Sequence, residues 1–352
     1  MTTKERTHAH VRAVGGNQRR PPPSLARRTY MFVRLSVVAM IAILAASLIR
    51  EYHVAGDCLQ GSISAYYYTS VQSVFVGSLV ALGLAMIVLW GKTPLEDSYL
   101  NLAGMLAPVV AFVPTAKTNK CGLDTATGAA VTTNRQQTRV IEASQDAIVN
   151  NMLAYFIVAG AVLLILIAVG AVAHVRNRTA ATSGVPRGEE TCASITEHPR
   201  AYWGPIAAAS ALWVAGLWKF ANDREWFFDN AHGWSATVMF IFIVCVVVTV
   251  ALQKHHGIKE AKEPRSRRWA WTYWAVAVLM VVGAVAIFVE TRNGSDGFAT
   301  HQVFWLEAWM ISWLGLFWIL QTIDRWNEGA PPRTTQDRRL VAAGAPAPGR
   351  VA

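Results

Sequence analysis

The chain has 352 residues, of which 53% are hydrophobic and only 15% charged, with a formal net charge of +10. Soluble globular chains carry about a quarter charged residues; here the deficit is gathered into long apolar blocks, which excludes a soluble enzyme and a disordered chain. The dispersed Lys and Arg form no nucleic-acid-binding motif, so the positive charge is read as membrane topology and attraction to anionic lipid headgroups, with no nucleic-acid partner.

Eight apolar blocks follow in chain order: Tyr30–Ile49, Tyr68–Trp90, Tyr99–Thr115, Met152–Val175, Trp203–Ala221, Ser235–Leu252, Trp269–Val289 and Val303–Ile323. A helix needs about 20 apolar residues to cross a hydrocarbon layer of ~30 Å. Backbone groups left unpaired in lipid are costly, so blocks of this kind read as helices. They do not alternate every second residue as outer-membrane strands do. The first is too long, and too closely flanked by Arg, for a cleaved signal peptide. The third contains Pro108 and Pro114, which predicts an irregular end. The expected class is all-α, a polytopic transmembrane helical bundle of about eight spans.

If all eight blocks cross, 23 of the 32 Lys and Arg share a side with the N-terminus and 7 lie opposite, with Arg34 and Lys219 inside blocks. By the positive-inside rule both termini are cytoplasmic. Residues 1–29 and 324–352 read as tails, the first of them basic, with too little apolar surface to order themselves. Residues 176–202 read as a cytoplasmic linker between two four-span halves, 30–175 and 203–323. The first half carries an outer loop, 117–151. From about Arg135 the spacing of Val140, Ile141, Ala147 and Ile148 is helical and extends the fourth span outward.

This topology sorts the four cysteines. Cys58 and Cys121 share the outer, oxidising side, where a disulfide between them would pin the loops; Cys192 is cytoplasmic and Cys245 lies within a span.

Polar residues inside spans are expensive and therefore informative. Glu307 and Lys219 sit at similar depth near the outer ends of their spans, and an ion pair between them is expected. His53, His232 and His301 fall on the outer side; if they converge, three imidazoles could hold Zn²⁺ with an open position. None has a local H-x-x-x-H partner, and interfacial histidines bonded to loops and headgroups are the plainer reading. The run Ser62-Ile63-Ser64-Ala65-Tyr66-Tyr67-Tyr68-Thr69 opens the second span; tyrosines suit a membrane interface, and Ser62 or Ser64 is placed to cap the helix. Thirteen of the fourteen tryptophans lie from Trp203 onward, and Trp305, Trp309 and Trp313 share one helix stripe.

Together with Phe75-Val76-Gly77, Glu96-Asp97, Asn101-x-Ala103-Gly104 and Pro114-Thr115, the Ser62–Thr69 run resembles a set of bacterial multi-pass membrane proteins of no established activity. His232, Ala236-x-x-Met239-Phe240 and Phe317-Trp318-x-x-Gln321-Thr322 resemble the same set. The resemblance implies an integral protein of the bacterial plasma membrane and carries over no chemistry. Seven-helix hydrolases related to ceramidases have an H-x-x-x-H pair near their last helix, and it is absent here.

The leading expectation is a non-enzymatic envelope, scaffold or ligand-binding protein, in contact with membrane lipids and needing no cofactor. Lys219, Glu307, Trp305, Trp309 and Tyr66 are expected to line an outward-facing polar pocket. A zinc-dependent hydrolase using His53, His232 and His301 is the first alternative, and a small-molecule or lipid transporter the second.

Overall fold

The computed structural model describes residues 25–115, 134–183, 199–261, 264–292 and 301–326. Among the described residues the protein is all-helical: α1 (Leu25–Val54), a 3-10 turn (Ser64–Tyr68), α2 (Gln72–Val88), α3 (Pro94–Phe112), α4 (Asn134–Ser183), α5 (Pro199–Asn222), α6 (Arg224–Ala261), α7 (Pro264–Arg292) and α8 (Gln302–Asp324). Six of the eight apolar blocks fall within one of these helices. Tyr68–Trp90 begins in the 3-10 turn and ends past α2, and Tyr99–Thr115 ends three residues past α3, beyond Pro114. Segments of α1, α4, α6, α7 and α8 are long and apolar enough to cross a membrane, and α2 is a shorter apolar helix. The protein is a membrane-embedded helical bundle. Residues 1–24 and 327–352 of the tails, most of the linker, Cys121 and Cys192 lie outside the described residues, while residues 25–29, expected as tail, already form the start of α1.

Six helices close a ring, each packing on the next in the order α1, α2, α3, α6, α7, α8 and back to α1. One continuous apolar core fills it, from Val37 of α1 through Phe75, Leu106, Val247 and Met280 to Phe317 of α8. Helices α4 and α5 stand outside the ring as a pair against α3. A second, smaller core of Val113, Met152, Phe156, Phe220 and Phe227 joins them to it.

Glycine sets the tightest crossing. A Cβ on Gly83 of α2 would lie 2.8 Å from the carbonyl oxygen of Gly104 on α3, and one on Gly104 would lie 2.6 Å from that of Gly83. Small residues let two backbones approach where lipid supplies no hydrophobic drive between helices.

The start of α3 follows from Thr93-Pro94-Leu95-Glu96. Pro94 fits the first helical turn, Thr93 Oγ1 accepts the Glu96 N–H (3.2 Å), and Glu96 Oε2 reaches back to the Lys92 N–H (2.9 Å). The same carboxylate anchors a polar network at this end of the ring, called the Glu96 end below. Gln253 Nε2 of α6 donates to Glu96 Oε2 (2.9 Å) and Arg325 Nη2 lies 3.0 Å from Oε1. Gln321 Nε2 donates to Oε1 (3.4 Å), while its own Oε1 accepts from Arg34 Nη1 of α1 (2.7 Å). Glu96, Arg34, Gln321 and Arg325 are all at most 2% exposed. Burial alone would push the Glu96 carboxyl up; Arg325, with Gln253 and the Lys92 N–H, outweighs it and holds the group below the usual carboxylate range. Beside this chain, Asp324 pairs with Lys254 (2.7 Å) and accepts from Tyr273 OH (3.1 Å).

Candidate functional site: the Glu307 end of the ring

At the opposite end the chain between α1 and the 3-10 turn is strapped onto the first turns of α8. His301 Nε2 donates to the Leu59 carbonyl (3.0 Å), the Phe304 N–H donates to the Gly61 carbonyl (3.0 Å), and Glu307 Oε2 accepts the Ile63 N–H (2.6 Å). Residues spaced by three on a helix share a face, so His301, Phe304 and Glu307 meet the strap together at Leu59, Gly61 and Ile63.

Glu307 also meets His232 of α6, Oε1 to Nε2 at 3.5 Å. His232 is buried, and its Nδ1 faces two carbonyl oxygens at the end of α3, Val110 (3.1 Å) and Val113 (2.7 Å). Carbonyls only accept, so Nδ1 carries a hydrogen. These two carbonyls lack helical partners because α3 ends at Phe112 ahead of Pro114, and the imidazole satisfies them. The other ring nitrogen faces Glu307, so the imidazole bridges the end of α3 and the first turns of α8. Both residues border an apolar cavity of about 40 Å³, with Leu79, Met239 and Leu314 among its walls.

Next to them Ser62, Ser64 and Thr115 form a triangle of hydroxyls, with oxygen separations of 3.1, 3.0 and 2.7 Å. Ser62 Oγ also accepts the Ala65 N–H (3.0 Å) and so caps the 3-10 turn. The cap was expected on the second membrane helix. That helix starts later, after Val71, whose side chain makes no cap hydrogen bond.

Outside the strap lies a crevice of about 610 Å³ between the end of α1 and the start of α8. Leu48, Ile49, Phe304 and Trp305 give it apolar and aromatic walls, and Tyr52, Asp57, Tyr66 and His301 give it polar edges. Burial pushes the Tyr66 hydroxyl above its ordinary range, and the Gln60 N–H only partly opposes this. Cys58, which also lines the crevice, is disulfide-bonded. Cys245, the other described cysteine, is free, and the expected pairing with Cys121 lies outside the described residues.

The expected pocket residues divide. Tyr66 and Trp305 line the crevice, Glu307 lines the inner cavity, and Trp309 packs against Gly283 of α7 and donates to the Leu279 carbonyl (3.1 Å). The expected Lys219–Glu307 ion pair does not form. Lys219 pairs with Asp223 one turn on (3.1 Å) and sits 4.4 Å from the Trp226 ring centroid, because α5 lies outside the ring that contains Glu307. The three histidines take separate partners: His53 is exposed and bonds Asp57 (2.8 Å), while His232 and His301 have those given above. Among the described residues no group of three His, Cys, Asp or Glu side chains is placed to hold a metal ion.

In the sequence Arg34 stands out as a charge inside a block, but its link through Gln321 to Glu96 and Arg325 does not. The only available signal was the capping pattern at Thr93–Glu96, which explains the carboxylate locally. No protein-family model, curated protein or solved structure matches the chain.

Proposed function

We propose that this is an eight-span protein of the bacterial plasma membrane, both termini cytoplasmic, that binds an amphiphilic ligand in the crevice at the Glu307 end. The crevice carries the reading: about 610 Å³ is ample for a lipid-like or drug-sized molecule, and its aromatic walls with a few polar groups suit one apolar and one polar part. The strap keeps this shape ready before binding, which lowers the ordering cost of association. The Lys and Arg bias supports the orientation, and puts the crevice on the outer side. The motifs at Ser62–Thr69 and Phe317–Thr322 support kinship with the bacterial multi-pass proteins that they resemble.

The test is native mass spectrometry of protein extracted in bilayer nanodiscs, beside Leu48→Trp, which fills the crevice. One amphiphile per chain is expected on the wild type and none on Leu48→Trp, at an unchanged melting midpoint. A wild type without retained amphiphile, or a variant that keeps it, refutes the reading.

A further inference from the structure

We propose that Arg34 and Arg325, at the Glu96 end of the ring, form a binding site for a phosphate group. The first observation is charge. Arg34, Gln321, Glu96 and Arg325 make one chain of contacts at 2.7, 3.4 and 3.0 Å, with two guanidiniums against a single carboxylate. Glu96 carries one negative charge, set against Arg325 at 3.0 Å, and its oxygens already accept from the Lys92 N–H, Gln253 and Gln321, which leaves no direct contact for Arg34. The neighbouring carboxylate, Asp324, is engaged by Lys254 and Tyr273. One positive charge is left over among side chains at most 2% exposed, and an uncompensated buried charge is strongly unfavourable.

The second observation is independent of charge. Among the described residues, the Nε of Arg34, the Nε and Nη1 of Arg325 and the Nε1 of Trp318 are buried donors without a hydrogen-bond partner. The Arg325 Nη2 contact with Glu96 is an ion pair by distance whose angles fall outside a hydrogen bond. The Arg34 guanidinium sits over the rings of Tyr30 (4.7 Å) and Trp318 (5.4 Å), which fix its plane and bring the unpaired indole N–H beside it. Arg34 Nη1 and Nη2 donate to Gln321 Oε1 (2.7 Å) and Tyr30 OH (2.8 Å), so the donor set without an acceptor is the Arg325 fork, the Arg34 Nε and the indole N–H. A phosphate supplies several acceptor oxygens and the missing negative charge, and guanidinium forks match its geometry.

Such a phosphate comes from solution or from a lipid headgroup. The test uses the whole protein in a neutral detergent and in phosphatidylcholine nanodiscs. The thermal midpoint is followed with sodium phosphate against sodium chloride at matched ionic strength, and with or without phosphatidic acid in the disc. Total phosphorus per chain is measured after delipidation. A midpoint raised by inorganic phosphate identifies the free anion. A midpoint raised only by phosphatidic acid identifies the headgroup, and about one phosphorus retained per chain shows a bound phosphate of either source.

Arg34→Gln removes the excess charge and leaves the Glu96–Arg325 pair intact; it is expected to weaken phosphate binding about ten- to a hundredfold. Arg34→Lys keeps the charge, loses the fork and is expected to bind with intermediate affinity. A wild type that neither responds nor retains phosphorus overturns the proposal without recourse to any variant. So does an Arg34→Gln protein that responds as the wild type does.

Discussion

The indole of Trp213 packs against Gly160 and donates its N–H to the carbonyl of Phe156, four residues before that glycine on α4 (3.0 Å). The arrangement recurs. Tyr202 packs against Gly170 and donates to Leu166 O (2.6 Å), and Trp309 packs against Gly283 and donates to Leu279 O (3.1 Å). In a helix each such carbonyl already accepts the glycine's own N–H. The missing Cβ opens its second lone pair to a neighbouring helix, and a donor that lipid would leave unpaired finds a partner.

Adding a methyl group at this contact is expected to be worse than losing the hydrogen bond. A Cβ on Gly160 would stand 2.7 Å from Trp213 Cζ2, so Gly160→Ala must displace the ring, at a cost of about 1–3 kcal/mol. Trp213→Phe loses the hydrogen bond and some packing, at about 0.6–2 kcal/mol. Denaturant unfolding in detergent ranks the two, and the reverse order would contradict the geometry.

Gly83→Ala and Gly104→Ala should be at least as damaging, because each new methyl meets a backbone carbonyl, which yields less readily than a side chain. Destabilisation of about 2 kcal/mol or more is expected for either. Adding the second substitution should cost less than the first, since one displacement of α2 from α3 relieves both. Additive losses in the double variant would argue against a shared crossing.

Glu307 and Lys219 should behave unlike the pair that sequence depth suggests. Glu307→Ala leaves the Ile63 N–H without its acceptor and takes the carboxylate from the buried His232. A loss of about 1–3 kcal/mol is expected, with faster proteolysis between residues 56 and 64. Lys219→Met removes a half-exposed ion pair and should change stability by less than about 1 kcal/mol. Equal effects would mean that the strap does not depend on Glu307.

Acid sensitivity should centre on Glu96, which stands ahead of the apolar block beginning at Tyr99. Arg325 and its other partners overcome burial to hold its carboxyl low. A carboxylate lowered on folding contributes stability that is fully present above its unfolded value, about 4.3, and lost as the pH falls through the folded value. The melting midpoint should therefore decline below about pH 4. Glu96→Gln should be less stable than the wild type at neutral pH and show a flatter acid limb. A parallel limb in the variant would assign the acid loss to other carboxylates.

The helices were legible because lipid permits few alternatives: an uninterrupted apolar block must satisfy its backbone internally. The polar clusters were not legible, because sequence gives the depth of a residue along a span but not its direction around it. Lys219 and Glu307 read at one depth in the sequence, yet α5 stands outside the ring and α8 within it. Glu96 reads as part of a short acidic turn and Arg325 as the first charge of a tail. Only closure of the ring brings both to Arg34, 62 positions before one and 291 before the other. The strap was hidden for a related reason: two of its three bonds to α8 use backbone carbonyls of residues 59–61, which leave no trace in side-chain pattern.

Ring closure also has a consequence in time. Helix α8 is the last of the described helices to leave the ribosome, and it must dock against α1, the first. Until then Arg34 waits in the bilayer without Gln321, and Glu96 without Arg325. A chain halted after α7 thus exposes both charges on helix faces that the finished protein seals, and membrane quality control would find its mark there.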